Sequence, residues 1–170
     1  NPPRRIEGVQ KAVDETGGAV TLLQTITDID KDLPTAQTAV AAPLASKGAE
    51  VGGIVTTAYN PAVAATVAVG SSGLPIKVIG IDDDAVLLDA IRSGAITGTV
   101  VQNPWGQAYV GTWALASLQA GICTVNDPGF IVDSGSFLVT ADNVDTYDDE
   151  RQAKTKEILA DFQTEYLTCA

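Results

Sequence analysis

The stretch 76–104, IKVIGIDDDAVLLDAIRSGAITGTVVQNP, constrains the fold more than any other part of the chain, because it reads as two buried strands joined by a short helix. Residues 76–81 are a nearly continuous β-branched run that stops at Asp82. Such a run does not alternate between core and solvent, as expected of a strand covered on both faces. Residues 85–93 show helical spacing in Val86, Leu87, Ala90 and Ile91, closed by Gly94. A second apolar run, 96–101, ends at Gln102. Strand, helix and strand make a parallel β-α-β unit. In open α/β sheets ligands sit outside the carboxyl ends of the strands, which is where Asp82 and Gln102 fall.

A third strand repeats this arrangement upstream. Residues 53–58 (GIVTTA) lead into Tyr59, Asn60 and Pro61, with Asn60 expected as a helix N-cap and Pro61 at the first helical position. Asn60, Asp82 and Gln102 would then bring amides and a carboxylate to one sheet edge. Together they donate and accept hydrogen bonds, which suits a neutral ligand rich in hydroxyl groups. Taken singly, each has a plainer reading: a cap, a turn residue, a solvated strand end. Elsewhere, 4–15 is an amphipathic helix with Ile6, Val9, Ala12 and Val13 on one face, stopped by Gly17 and Gly18 before an expected strand at 19–24. A helix is expected after Asp32, with Pro34 early in it and Pro43 ending or kinking it. Residues 104–120 read as a helix carrying Trp105, Tyr109 and Trp113. A polar turn (Asn126, Asp127, Pro128, Gly129), a strand at 135–140 and a C-terminal helix complete the alternation. The class is α/β, with a doubly wound parallel sheet and flanking helices.

Composition narrows the function. With 170 residues, 45% of them hydrophobic, the chain has the means to bury one sizeable α/β core or one lobe of a larger protein. A net charge of -11 argues against nucleic acid and anionic membranes, which reward basic patches. No stretch approaches the roughly 20 apolar residues of a membrane span. Histidine is absent, so Ser-His-Asp, Cys-His and H-E-x-x-H chemistry is unavailable, and catalysis is not expected. Asp28, Asp30 and Asp32 imitate the start of a calcium loop, but Leu33 stands where the loop needs glycine and Ala39 where it needs glutamate. Asp82, Asp83 and Asp84 are read as one ligand-facing acid followed by acids near a helix N-terminus rather than as a metal site. Neither a metal nor another cofactor is expected.

The chain resembles the periplasmic solute-binding proteins of sugar-type ABC transporters, the ribose- and galactose-binding group. The resemblance is to their C-terminal half, in the type I periplasmic-binding-protein fold. It runs through RRIEGVQKAVDE (4–15), GIVTTAYNPAVAATVAV (53–69), IKVIGIDD, AIRSGAITGTVVQNPWGQAYVG (90–111) and VDSGSFLVTADNVDTY (132–147). In that family, sugar is contacted by the asparagine after the GIVTTA-type strand, the aspartate of the G-[FI]-D segment and the glutamine of the T-V-x-Q-x-P segment. By position these imply Asn60, Asp82 and Gln102. A sugar-contacting arginine precedes the family's R-x-x-G helix. Pro3 holds that position here and Arg4 follows it, making Arg4 the remaining candidate.

The resemblance implies a receptor that captures a monosaccharide or polyol in a cleft between lobes, closes about hinges with Gln102 at one of them, and delivers its cargo to an ABC permease. It implies a periplasmic or otherwise extracytoplasmic location, secreted or lipid-anchored. In an exported protein Cys123 and Cys169 are expected to form a disulfide tying the C-terminal helix to the segment after Gly121, two free thiols being the other reading. Residues 1–102 are assigned to the C-terminal ligand-binding lobe, 103–128 to a hinge crossing and a helix of the N-terminal lobe, and 129–170 to the return hinge, strand and C-terminal helix of the C-terminal lobe. Trp105 is read as a packing contact or a sugar platform. The family pattern puts a central strand ahead of Asn1, so an N-terminal portion is expected as a partner, completing the sheet and covering Tyr109, Trp113 and Leu118. The same fold also serves as the effector-binding domain of LacI-type sugar-responsive transcriptional repressors, the alternative function.

Overall fold

A computed structural model describes residues 2–126, 128–129 and 131–170; Asp127 of the expected polar turn lies outside the described residues. The chain divides into two compact units, 1–100 with 138–144, and 101–137 with 145–170.

The first unit contains α1 (Pro2–Glu15), α2 (Leu33–Lys47), β1 (Gly53–Val55), α3 (Tyr59–Ser72), β2 (Lys77–Ile81), α4 (Ala85–Arg92) and most of β3 (Gly98–Gln102). Strands β1, β2 and β3 are parallel and in register, with Ile54 opposite Val78 and Ile81 opposite Val100. With β5 (Ser136–Val139) the order is β1-β2-β3-β5. The β-branched run earns its burial: Val78 is fully buried in β2, and Leu87 and Ile91 of α4 are sealed as well. Helix α3 is lined with Ala62, Ala64 and Ala65, all without exposed surface, and packs on β2, α2 and α4. Small side chains let the helix lie close to its neighbours.

Glycine is required at two points of this sheet. A Cβ on Gly80 would come within 2.5 Å of Leu87 Cδ2, and one on Gly98 within 2.6 Å of the Val139 carbonyl oxygen. Gly94 ends α4 at φ 74°, the left-handed stop that the sequence suggests.

Two local expectations are corrected, and of the two outcomes expected at Pro43, an end or a kink, the end does not occur. Residues 19–24 form no strand, and Val20 and Leu23 are half exposed (53% and 50%); an extended segment without a ladder partner gains none of the hydrogen bonds that make a strand. Helix α2 runs through Pro43 to Lys47. Its start is fixed by Asp32, whose carboxylate accepts from Thr35 N at 2.8 Å, and its buried face, Ala36 and Val40, packs on α3. Packing outweighs the one hydrogen bond that the proline forfeits. Asn60 is not the N-cap of α3. The cap is Ala58, and Asn60 lies inside the first turn with its amide turned elsewhere.

The second unit holds α5 (Pro104–Gln119), β4 (Cys123–Val125), α6 (Tyr147–Glu165) and β6 (Leu167–Cys169). Helices α5 and α6 pack together over Val110, Cys123, Phe162 and Leu167, joined by Trp113, Leu118 and Ile158. Strands β4 and β6 are antiparallel, with Cys123 directly opposite Cys169. The two cysteines form a disulfide with Cα atoms 4.0 Å apart. Neither short strand is apparent in the sequence. Helix α6 makes its core here, against α5.

At the start of α5, Asn103 is fully buried and its side-chain oxygen accepts from Gly106 N at 2.9 Å. Its amide nitrogen donates to the Ser134 carbonyl at 2.7 Å and to Thr155 Oγ1 at 2.8 Å. Every polar atom of the buried amide is used, which is what makes its burial tolerable.

Candidate functional site

The carboxyl ends of β1 and β2 carry the polar residues. After β1 the chain turns through Thr57 and Ala58 into α3, which brings Tyr59 and Asn60 to the sheet edge. The Asn60 amide donates to the Asp30 carbonyl at 2.8 Å, drawing the loop of Asp28, Asp30 and Asp32 to this end of the unit. Arg5, on α1, donates from a guanidinium nitrogen to the Thr57 carbonyl at 2.9 Å. Arg4, the arginine suggested by position, is exposed on the same helix.

After β2 the backbone changes hand. Asp82 has φ 68°, the left-handed region that side chains avoid, and it is half-buried. Its N–H donates to the Val100 carbonyl at 2.9 Å and its own carbonyl accepts from Thr99 Oγ1 at 2.8 Å. Two residues on, Asp84 caps α4 by accepting from Val86 N at 2.8 Å. The other Asp84 oxygen accepts from the Tyr59 hydroxyl at 2.5 Å. That hydrogen bond, then the charge of Asp84 and more weakly that of Asp82, push the Tyr59 hydroxyl above the ordinary phenol pKa.

Asn60 and Asp82 thus stand at the ends of hydrogen-bonded neighbouring strands. Gln102 is the exposed last residue of β3, two positions past Val100, and belongs to the second unit. Trp105, in that unit, stacks on Tyr109 with ring centroids 4.8 Å apart and remains 38% exposed. Sequence reasoning missed three participants: Tyr59, Arg5 and Thr99. An aromatic residue directly before Asn60 and Pro61 was a visible signal for Tyr59; nothing in the sequence marks the hydroxyl of a buried strand threonine.

Among the described residues no three His, Cys, Asp or Glu side chains gather as a metal site, and no helix is long and apolar enough to cross a membrane. The edge offers amide, hydroxyl and carboxylate groups around an acidic loop. It can hydrogen-bond a neutral polar molecule and would repel an anion.

A family model described as "Periplasmic binding protein domain" matches residues 1–122. No curated protein matches the sequence closely enough to count as a relative. Among solved structures, a sugar ABC transporter sugar-binding protein from Bacillus halodurans is 25% identical with TM-score 0.71, covering 82% of this chain and 50% of that one. A carbohydrate transporter solute-binding protein from Agrobacterium radiobacter in complex with D-arabinose is 27% identical, TM-score 0.59, covering 71% of this chain and 40% of that one. An ABC transporter solute-binding protein from Agrobacterium vitis with bound D-fucose shares the fold at 20% identity, TM-score 0.70, covering 86% and 49%. The chain spans half or less of the length of these three proteins. The match over 1–122 includes Asn60, Asp82 and Gln102, and by it the chain belongs to the periplasmic binding protein domain family.

Proposed function

We propose that the chain is the ligand-holding part of an extracytoplasmic solute-binding receptor that takes up a neutral monosaccharide or polyol and delivers it to an ABC permease. The observation that carries this reading is the pair Asn60 and Asp82 at the carboxyl ends of adjacent parallel strands, in a chain of this family. Asp82 accepts from sugar hydroxyls, Asn60 accepts through its side-chain oxygen, and Gln102 contributes an amide from the end of β3. Arg4 stays a candidate contact, with Arg5 beside it. The ligand rests against these strand ends while a second lobe closes over it. An N-terminal portion supplies that lobe and the strand that residues 19–24 lack. The passage from one compact unit to the other at Val100 and Val101 supports a hinge beside Gln102. The Cys123–Cys169 bridge supports an oxidising, extracytoplasmic location. The repressor alternative gains nothing from the matched structures, whose names describe transport binding proteins.

Thermal-shift screening of the natural polypeptide carrying this sequence tests the reading, with D-fucose, D-arabinose, further monosaccharides and polyols, amino acids and small anions as panel. A sugar at 100 times its Kd stabilises by about 2.7 kcal/mol, a rise in Tm of roughly 5–10 °C for a protein of this size or somewhat larger. Stabilisation by amino acids or anions alone would overturn the sugar assignment.

A further inference from the structure

Strand β2 is followed directly by a residue whose backbone works against it. Among the described residues, Asp82 and Asp28 are the two non-glycine residues in the left-handed region. Asp28 lies in an open loop, where its neighbour Thr27 donates to its own carboxylate at 3.0 Å. Asp82 sits between a buried strand and a helix, where glycine would carry the turn without strain. A strained conformation persists only where its surroundings hold it, and it is found most often where a side chain must be aimed.

The holding groups are identifiable. Thr99, on β3, has no exposed surface, and its hydroxyl proton goes to the Asp82 carbonyl oxygen at 2.8 Å. The Asp82 N–H is tied to the same strand, at the Val100 carbonyl, 2.9 Å away. Both polar backbone groups of Asp82 are therefore fixed to β3. Gly80 leaves the room this requires: a Cβ there would lie 3.1 Å from Thr99 Oγ1. Beyond Asp82, the chain is pinned again by Asp84 on Val86 N and by Tyr59 on Asp84. With its backbone fixed on both sides, Asp82 has little freedom left to lose when a ligand arrives, and binding costs less as a result.

We propose that Thr99 is a positioning residue for ligand capture: its buried hydroxyl locks the Asp82 backbone in the left-handed conformation and so aims the Asp82 carboxylate at the ligand before the ligand binds. The proposal rests on the reading that Asp82 touches a sugar, and its test separates the two.

In the natural polypeptide, Thr99→Val replaces the hydroxyl by a methyl group of similar size, and Thr99→Ser keeps the donor. Amide hydrogen exchange by NMR reads the lock without any ligand. Thr99→Val is expected to lower protection at the Asp82 amide about tenfold while the β2 amides keep theirs, and Thr99→Ser to restore it. Calorimetry with D-fucose and D-arabinose as probes is expected to show about tenfold weaker binding for the valine variant and recovery with serine. Unchanged protection of the Asp82 amide in Thr99→Val overturns the proposal. So does lost protection with sugar affinity unchanged, which would make Thr99 structural only. If wild type binds neither probe, the sugar reading fails for these ligands, and the amide comparison alone decides whether Thr99 holds Asp82. Thr99→Cys, a weak donor of similar volume, gives the same comparison if valine disturbs folding.

Discussion

Cutting the Cys123–Cys169 bridge is predicted to destabilise the second unit by two unequal amounts, depending on which cysteine is changed. The bridge closes a sequence separation of 46 residues. For a loop of that length, the chain-entropy relation gives about 4 kcal/mol of stabilisation through the unfolded state. Either substitution removes that amount. The two positions then differ in what they leave behind. Cys169 is exposed, so Cys169→Ser adds little beyond the lost cross-link. Cys123 is 3% exposed among Val110, Phe162 and Leu167, so Cys123→Ser also buries a hydroxyl in apolar surroundings, about 1–3 kcal/mol more. Urea unfolding followed by tryptophan fluorescence measures this locally, because the chain's two tryptophans, Trp105 and Trp113, are both on α5 of the same unit. With a denaturant slope of about 2 kcal/mol per molar, Cys169→Ser should lower the midpoint by roughly 2 M, and Cys123→Ser by more. Equal midpoints for Cys169→Ser and non-reduced wild type would refute the reasoning, since no strand-end or packing argument predicts that result.

Gly106→Ala should destabilise the same unit by about 1–3 kcal/mol, because the new Cβ would stand 2.2 Å from Asn103 Nδ2 and 2.6 Å from Thr155 Oγ1; an unchanged urea midpoint would contradict the buried amide cluster. Asp82→Gly should do the opposite to fold and function, raising stability by up to about 1 kcal/mol as the φ of 68° becomes unstrained while weakening sugar binding, and calorimetric melting with a binding titration reads both. The Tyr59 hydroxyl should titrate above the ordinary phenol value of about 10, and Asp84→Asn should bring it back toward that value, as phenolate absorbance shows. The sign follows from the raised folded-state pKa: the stabilisation is complete below the unfolded pKa and is lost as pH rises through the folded one, so the wild type's advantage over Asp84→Asn should shrink only in strongly alkaline solution.

The central β-α-β unit was legible because two patterns coincide there. Continuous β-branched runs stop at a polar residue, and the helix between them has both its periodicity and its glycine stop. The helix expected at 104–120 is found at Pro104–Gln119, where Asn103 is the cap and Pro104 the first helical residue. Residues 19–24 misled for the converse reason: their pattern is that of a strand, but a strand exists only through a neighbour. Asn60 misled more subtly. Its type and its place before Pro61 are those of a cap, yet its amide reaches Asp30, thirty positions away, and no local rule sees that contact. The hydroxyl of Thr99 and the left-handed turn at Asp82 are of the same kind, because they arise where two strands meet rather than along either one. Pairing of Cys123 with Cys169 was inferred from the compartment; the antiparallel strands that align the two residues were not visible in six residues of ordinary composition.

Binding of a neutral sugar or polyol at the polar strand ends around Asp82 is tested most directly by isothermal titration of the natural polypeptide, wild type beside Asp82→Ala, with the monosaccharide that stabilises it most in the thermal screen. A charge-assisted hydrogen bond from a ligand hydroxyl contributes about 1.5–3 kcal/mol, so affinity is expected to fall roughly 10- to 150-fold, with Tm unchanged or slightly lowered because alanine suits a φ of 68° no better than aspartate. Wild-type affinity in Asp82→Ala would contradict it.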